Sequence, residues 1–290
     1  MIKKIIALCA FTLILYGCKG TAVSNASSQA KPSLAGAEQG SIADSASQVN
    51  TANNSSVLAS TDKNEEVTQS FVNPSGKTLA KRILTPKGYK RIKAKKGSFE
   101  AFIRNYKLKP DGSPVLLYDG REKGNQSAHI AVFRLPIESE DLQQCADSIM
   151  RVYGEYYYDK KAYNKITFPL GNGFIADFDK WRRGYSISVS GNKIAWVYST
   201  KNDSSYDSFK RFMRIVFAYS GTLNMEYSSK KIKLSEAKVG DIFVRGGSPG
   251  HVVMIADICK NKKGKNAYLL AQGYLPAQEF QLLKNPLHEA

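Results

Sequence analysis

The sequence predicts an α+β domain built on an antiparallel sheet with two main helices. Two observations carry this. Residues 138–158 and 205–219 are the only long stretches whose apolar residues step by three and four, the spacing of one helical face. The rest of the second half is short β-type runs separated by turn residues, among them Ser190-Gly191-Asn192-Lys193 and the charged stretch 260–266. Connections that short join neighbouring antiparallel strands, not parallel ones.

The chain begins with Met1-Ile2-Lys3-Lys4, a positive start, followed by the apolar run 5–16. That run is shorter than the ~20 residues a bilayer span needs, and it fits a secretory leader. Leu15-Tyr16-Gly17-Cys18 then resembles a lipobox, in which a small residue precedes the cysteine that receives the lipid. The resemblance implies removal of residues 1–17 and a lipid anchor on Cys18. Lys19 follows the cysteine where an inner-membrane retention signal would carry Asp. The expected place is therefore the cell envelope, lipid-anchored, at the outer membrane rather than the inner.

Residues 18–70 are rich in Ser, Ala, Asn, Thr and Gln and hold no aromatic residue. Such a segment buries too little apolar surface to offset its ordering entropy and reads as a disordered tether. Residues 71–290 remain for a single domain. The leader and tether carry Lys3, Lys4, Lys19, Lys31 and Lys63 against Glu38, Asp44, Asp62, Glu65 and Glu66. The whole formal charge of +17 thus belongs to the domain. In an exported protein this excess points to peptidoglycan or another anionic envelope component, not to nucleic acid.

Within the domain, residues 98–103 read as a small capped helix. Residues 115–118 and 128–133 read as a strand and its partner. The helix 138–158 places Leu142, Cys145, Ile149, Val152 and Tyr156 on one face, with Ser139 as its cap. Strands follow at 167–168, 174–178, 185–189 and 194–198, the last two a hairpin. Trp181, Tyr185, Trp196 and Tyr198 read as core before sugar groove. The helix 205–219 turns Phe209, Phe212, Met213, Val216 and Phe217 inward. Strands at 239–244, 251–258 and 267–272 and a last short one complete the domain.

Gly240-Asp241-Ile242-Phe243, followed by Gly250-His251-Val252-Val253-Met254-Ile255, resembles the core of NlpC-type and CHAP-type papain-like cell-wall hydrolases. The resemblance covers about residues 205–280 and implies a papain-like C-terminal half, taken as about 205–290. It makes His251 the general base and Gln272 the group that orients it. It also implies a nucleophilic Cys at the start of the helix just before the Gly-Asp strand. That helix starts with Ser205, Tyr206, Asp207 and Ser208, where the serines read as caps.

The remaining candidate nucleophile is Cys145, at the head of the earlier helix, with Gln144 beside it as an oxyanion donor. It requires a long insertion before the matched strands, and its place on the apolar face also fits an inert buried thiol. Asp257 and Cys259 share the strand parity of His251. A Cys145–Cys259 disulfide stays open, and the spacing of Cys and His fits no zinc site. No cofactor or metal is expected.

The whole chain also resembles a bacterial lipoprotein family known only as a domain of unknown function. Two readings stay open. One is a tethered, non-catalytic module that binds a peptide or glycan ligand in a former catalytic cleft. The other is a cysteine amidase or peptidase acting on peptidoglycan stem peptides through Cys145, His251 and Gln272. The two part on whether the Cys145 thiol meets the His251 ring.

Overall fold

Two amphipathic helices and one long hairpin set the architecture. The computed structural model describes residues 3–5, 70–199 and 201–285. The expected cleavage point, Cys18 and the tether fall outside them. β1 (Lys3–Ile5) is followed by α1 (Leu79–Arg82), β2 (Tyr89–Arg91), α2 (Phe99–Arg104) and β3 (His129–Val132). Next come α3 (Cys145–Asp159), β4 (Thr167–Pro169), β5 (Ile175–Asp177), α4 (Phe178–Trp181), β6 (Tyr185–Ser190) and β7 (Lys193–Tyr198). The chain continues through α5 (Tyr206–Tyr219), α6 (Thr222–Ser228), β8 (Lys230–Ile232) and β9 (Ile242–Arg245). It closes with β10 (His251–Asn261), β11 (Asn266–Gln272) and β12 (Gln281–Leu283).

The main sheet is curled and runs β3-β12-β11-β10-β9-β1-β8, with β2 also paired to β10. From β3 to β9 every pairing is antiparallel, as expected. β1 is the exception, lying parallel to both β8 and β9. The hairpin expected at residues 185–198 is present, with Tyr185 opposite Tyr198 and Ser190 opposite Lys193.

α5 matches its sequence pattern. Ser205 caps it by accepting the Ser208 N–H at 3.1 Å. Phe209, Phe212, Met213, Val216 and Phe217 are all buried. They pack on α3 and α4. The close approach to α3 is possible because Gly154 lacks a side chain. A Cβ there would stand 2.9 Å from Phe209 Cζ.

α3 departs from expectation: it starts at Cys145, not residue 138. Ser139 does not cap it. Gln144 occupies the cap position, and its N–H donates to Asp147 Oδ2 at 3.0 Å. The preceding segment is pulled out of helical geometry by partners elsewhere. Glu138 takes Arg151 and Arg214, and the fully buried Gln143 gives its amide to the Pro136 carbonyl.

The strand expected at 115–118 is also absent, and its expected partner β3 pairs with β12 instead. Residues 116–118 are held by the later segment 277–279. The Tyr118 N–H donates to the Ala277 carbonyl, and the Glu279 carboxylate accepts the Leu116 N–H at 3.1 Å. Of the four aromatic residues near the hairpin, Trp181 packs against the core and donates to Ser208 Oγ, whereas Tyr198 is 68% exposed. Among the described residues no helix is long and apolar enough to cross a membrane.

Candidate functional site

The Gly240-Asp241 pair makes a turn that leads into β9, between β10 and β1 in the sheet. Gly240 has φ 95°, and a Cβ on it would stand 2.5 Å from the Tyr153 hydroxyl of α3. Tyr153 uses that approach to donate to the Gly240 carbonyl at 2.9 Å. Asp241 Oδ2 accepts the Lys238 N–H at 2.8 Å and closes the turn. β9 then leads through the Gly-rich loop 246–250 into β10, with His251 opposite Arg245. Gly250 fits only as glycine, since a Cβ would lie 2.3 Å from Thr222 Oγ1 of α6.

His251 and Gln272 meet. In β10–β11, Met254 opposes Ala271 and Ile255 opposes Leu270. The same register extended toward the strand start sets Gln272 against Val253, on the same sheet face as His251, because alternate residues share a face. His251 Nε2 and Gln272 Oε1 lie 2.8 Å apart. An amide oxygen only accepts, so the imidazole proton sits on Nε2 and the lone pair on Nδ1. Burial pushes His251 below the usual histidine pKa, and the Gln272 bond offsets part of that. The Tyr274 ring stands edge-on to the imidazole at 5.2 Å.

Of the two long helices, α3 is the one that approaches these strands. It packs across β10 and β11, while α5, the helix that the resemblance pairs with the site, packs on α3 and α4. Cys145 is the first residue of α3 and half-buried. The backbone N–H groups of Ala146, of Val252 (the residue after His251) and of Cys145 itself lie near enough to its thiol to pull the pKa down. Burial pushes the thiol pKa up more than these donors pull it down, and the nearby Asp147 carboxylate adds to the rise. The N–H groups of a helix's first turn have no partners within the helix, so they are free to face such a group.

Three expected roles are corrected. The helix next to these strands is not the one the resemblance implies, because α3 and not α5 packs on β10 and β11. Gln144 is committed elsewhere: its Nε2 donates to Asp141 Oδ1 at 2.9 Å. Asp257 does not share the His251 face. The register shifts between Ile255 and Asp257, and the bulge reverses the alternation beyond it. Asp257 is instead held by Arg91 at 2.5 Å and Arg104 at 2.8 Å. Cys145 and Cys259 are both free thiols. Among the described residues no group of three or more His, Cys, Asp or Glu could hold a metal.

Two neighbours of the site escaped the sequence reading. Asp147 is buried at the head of α3, and burial pushes its pKa up to about 8. Its Oδ1 has no partner. A carboxylate three residues after a polar residue is the sequence sign of a reciprocal cap, here on Gln144. Gly273 directly follows Gln272 and touches the first turn of α3. A Cβ there would lie 2.3 Å from Ser148 Oγ and 2.8 Å from the Gln144 carbonyl oxygen.

These features define a mixed α/β protein with a curled antiparallel sheet, in which a helix-start thiol and a His–Gln pair occupy neighbouring positions. The chain belongs to the family described as domain of unknown function (4846), which it matches over residues 79–290. No curated protein and no solved structure matches it.

Proposed function

We propose that the protein is an envelope lipoprotein with a papain-like cysteine hydrolase domain, in which Cys145 is the nucleophile, His251 the base and Gln272 the group that orients the base. One observation carries the reading. The Cys145 thiol, at a helix start, is close enough to the amide that follows His251 for that amide to lower its pKa, and the His251 proton is held on the nitrogen facing Gln272. That leaves Nδ1 as the acceptor for the thiol proton. Sγ would attack an amide carbonyl, and the protonated imidazole would pass its proton to the leaving amine. Water would then hydrolyse the thioester. The N–H groups at the start of α3 would stabilise the developing oxyanion.

Both groups are pushed toward neutrality, the thiol upward and the imidazole downward. Both directions favour a thiol and a neutral imidazole over an ion pair. That same feature favours a second reading, a module that binds peptide or glycan without turning it over. The substrate class proposed for the first reading is peptidoglycan stem peptides, reached from a lipid anchor on Cys18. Removal of residues 1–17 would also remove β1.

The test uses the full chain, incubated with soluble peptidoglycan stem peptides and followed by mass spectrometry. New amino and carboxyl ends are expected with the wild-type protein and lost with Cys145→Ala. Cleavage that survives Cys145→Ala would end the hydrolase reading. Saturable binding without cleavage would select the second.

A further inference from the structure

We propose that the lysine-rich end of the main sheet is a docking surface for an anionic lipid bilayer. The turn that closes the β10–β11 hairpin carries Lys260, Lys262, Lys263 and Lys265, all exposed. β2 runs antiparallel against the same end of β10, with Lys90 opposite Lys260 and Tyr89 opposite Asn261. Asn261 Nδ2 donates to the Tyr89 hydroxyl at 3.4 Å and ties the two segments together. This adds Lys87 and Lys90, also exposed, to the same tip.

The tip has one sign of charge. Residues 85–97 and 258–266 contain no Asp or Glu. The nearest carboxylate in sequence, Asp257, is neutralised by Arg91 and Arg104. The segment reached through the Tyr268 hydroxyl, which donates to the Leu234 carbonyl at 3.3 Å, brings Glu236. Lys233 and Lys238 flank that residue. Among the described residues, none of the six lysines has an ion-pair partner.

An apolar side chain accompanies the charge, which argues for a bilayer over a carboxylate polymer. Ile92 directly follows β2, its N–H bonded to the Ile258 carbonyl at 3.3 Å, and it is 43% exposed. Lysines around an exposed aliphatic residue suit a headgroup layer, where ammonium groups meet phosphates and the aliphatic group enters the acyl boundary. The tip and the thiol site lie at opposite ends of β10. At ~3.3 Å per residue the strand separates them by roughly 30 Å, so docking by the tip leaves the His251 end clear of the lipid.

The test compares binding of the full chain, carrying Cys18→Ala so that no acyl chain contributes, to two kinds of vesicle. One kind mixes phosphatidylglycerol with phosphatidylcholine; the other is phosphatidylcholine alone. Their difference removes any contribution of the apolar leader. The unaltered tip should prefer the anionic vesicles, less so at physiological than at low salt. Each lysine near an anionic surface contributes about fivefold. Combining Lys260→Gln, Lys262→Gln, Lys263→Gln and Lys265→Gln should lower the preference by at least about 100-fold. Lys262→Gln with Lys263→Gln, a milder change at two exposed turn positions, should lower it by roughly 25-fold. A charge-matched set away from the tip, Lys81→Gln, Lys107→Gln, Lys165→Gln and Lys193→Gln, should largely keep it. Equal loss in that control set would overturn the proposal. So would a preference that survives the tip changes, or retention by peptidoglycan sacculi with none by anionic vesicles.

Discussion

Nε2 of His251 and Oε1 of Gln272 stand 2.8 Å apart across adjacent strands, and this contact fixes the tautomer of the imidazole. Gln272→Glu replaces the amide oxygen with a carboxylate, which favours the imidazolium. The His251 pKa, read from the ring proton shifts of a chain with three histidines, should then rise by one unit or so. Gln272→Ala frees the ring, and alkylation of Cys145 by iodoacetamide should slow by about 10-fold or more. An unmoved titration in Gln272→Glu would mean that the contact does not form in solution.

Asp147 predicts an unusual dependence of stability on pH. Its carboxyl is buried and its pKa is raised to about 8, against ~3.9 for an unfolded aspartate. The folded state therefore holds a proton that the unfolded state gives up. The stabilisation is fully present below about pH 4 and is lost as pH rises toward 8, by on the order of 3–5 kcal/mol. Asp147→Asn keeps an oxygen for the Gln144 N–H and cannot ionise. Urea unfolding of this variant should show little change between pH 5 and 8, where the wild type weakens. Parallel curves for the two proteins would refute the assignment.

How far the sequence carried follows from these same residues. His251 and Gln272 share a face because the β10–β11 register shifts between Ile255 and Asp257: the register at the turn, with Lys260 opposite Asn266, would set Gln272 against Met254 and away from His251, whereas beyond the shift Met254 opposes Ala271 and Gln272 falls against Val253. For Asp257 the alternation argument failed, because that residue lies on the turn side of the bulge. A bulge leaves no mark in a run such as Val252-Val253-Met254-Ile255-Ala256, where every residue is apolar. The α5 face was legible because a single amphipathic pattern and a Ser205 cap coincide. The start of α3 was not. Helical spacing continues back to Leu142, and only long-range partners, Arg151 and Arg214 on Glu138, take that segment out of the helix. The nearness of Cys145 to Val252 is tertiary, and no local signal encodes it.

Asp257 ties two segments of the chain to the middle of β10. Arg91 comes from β2 and Arg104 from the end of α2, and both bond the same carboxylate. Arg104 is 8% exposed. Asp257→Ala leaves both guanidinium groups near one another without their counter-charge, and breaking a buried pair in this way costs about 3–5 kcal/mol. Chemical denaturation should show this as a large fall in midpoint. Pairing Asp257→Leu with Arg104→Met should recover part of the loss. A loss below ~1 kcal/mol in Asp257→Ala would show that the triad is solvated in solution.

Gly273 controls the distance between the two halves of the candidate site. It follows Gln272 directly, and its Cα rests on the first turn of α3. A methyl group there would meet Ser148 Oγ at 2.3 Å, Ser148 Cβ at 2.8 Å and the Gln144 carbonyl oxygen at 2.8 Å. Ser148 is fully buried, so it has little room to turn away. The Gln144 carbonyl is backbone and already accepts the Ser148 N–H at 3.0 Å, so it cannot yield without moving the helix start. Gly273→Ala must therefore push α3 and β11 apart. Overpacking of this kind costs about 1–3 kcal/mol. Because Cys145 opens α3 and Gln272 ends β11, the same shift should separate the thiol from the His–Gln pair and slow alkylation of Cys145. Adding Ser148→Ala removes the 2.3 Å clash but leaves those with Ser148 Cβ and the Gln144 oxygen, so stability should return only in part. A Gly273→Ala protein with wild-type stability and wild-type Cys145 reactivity would show that the helix and strand are not in the close contact on which the site depends.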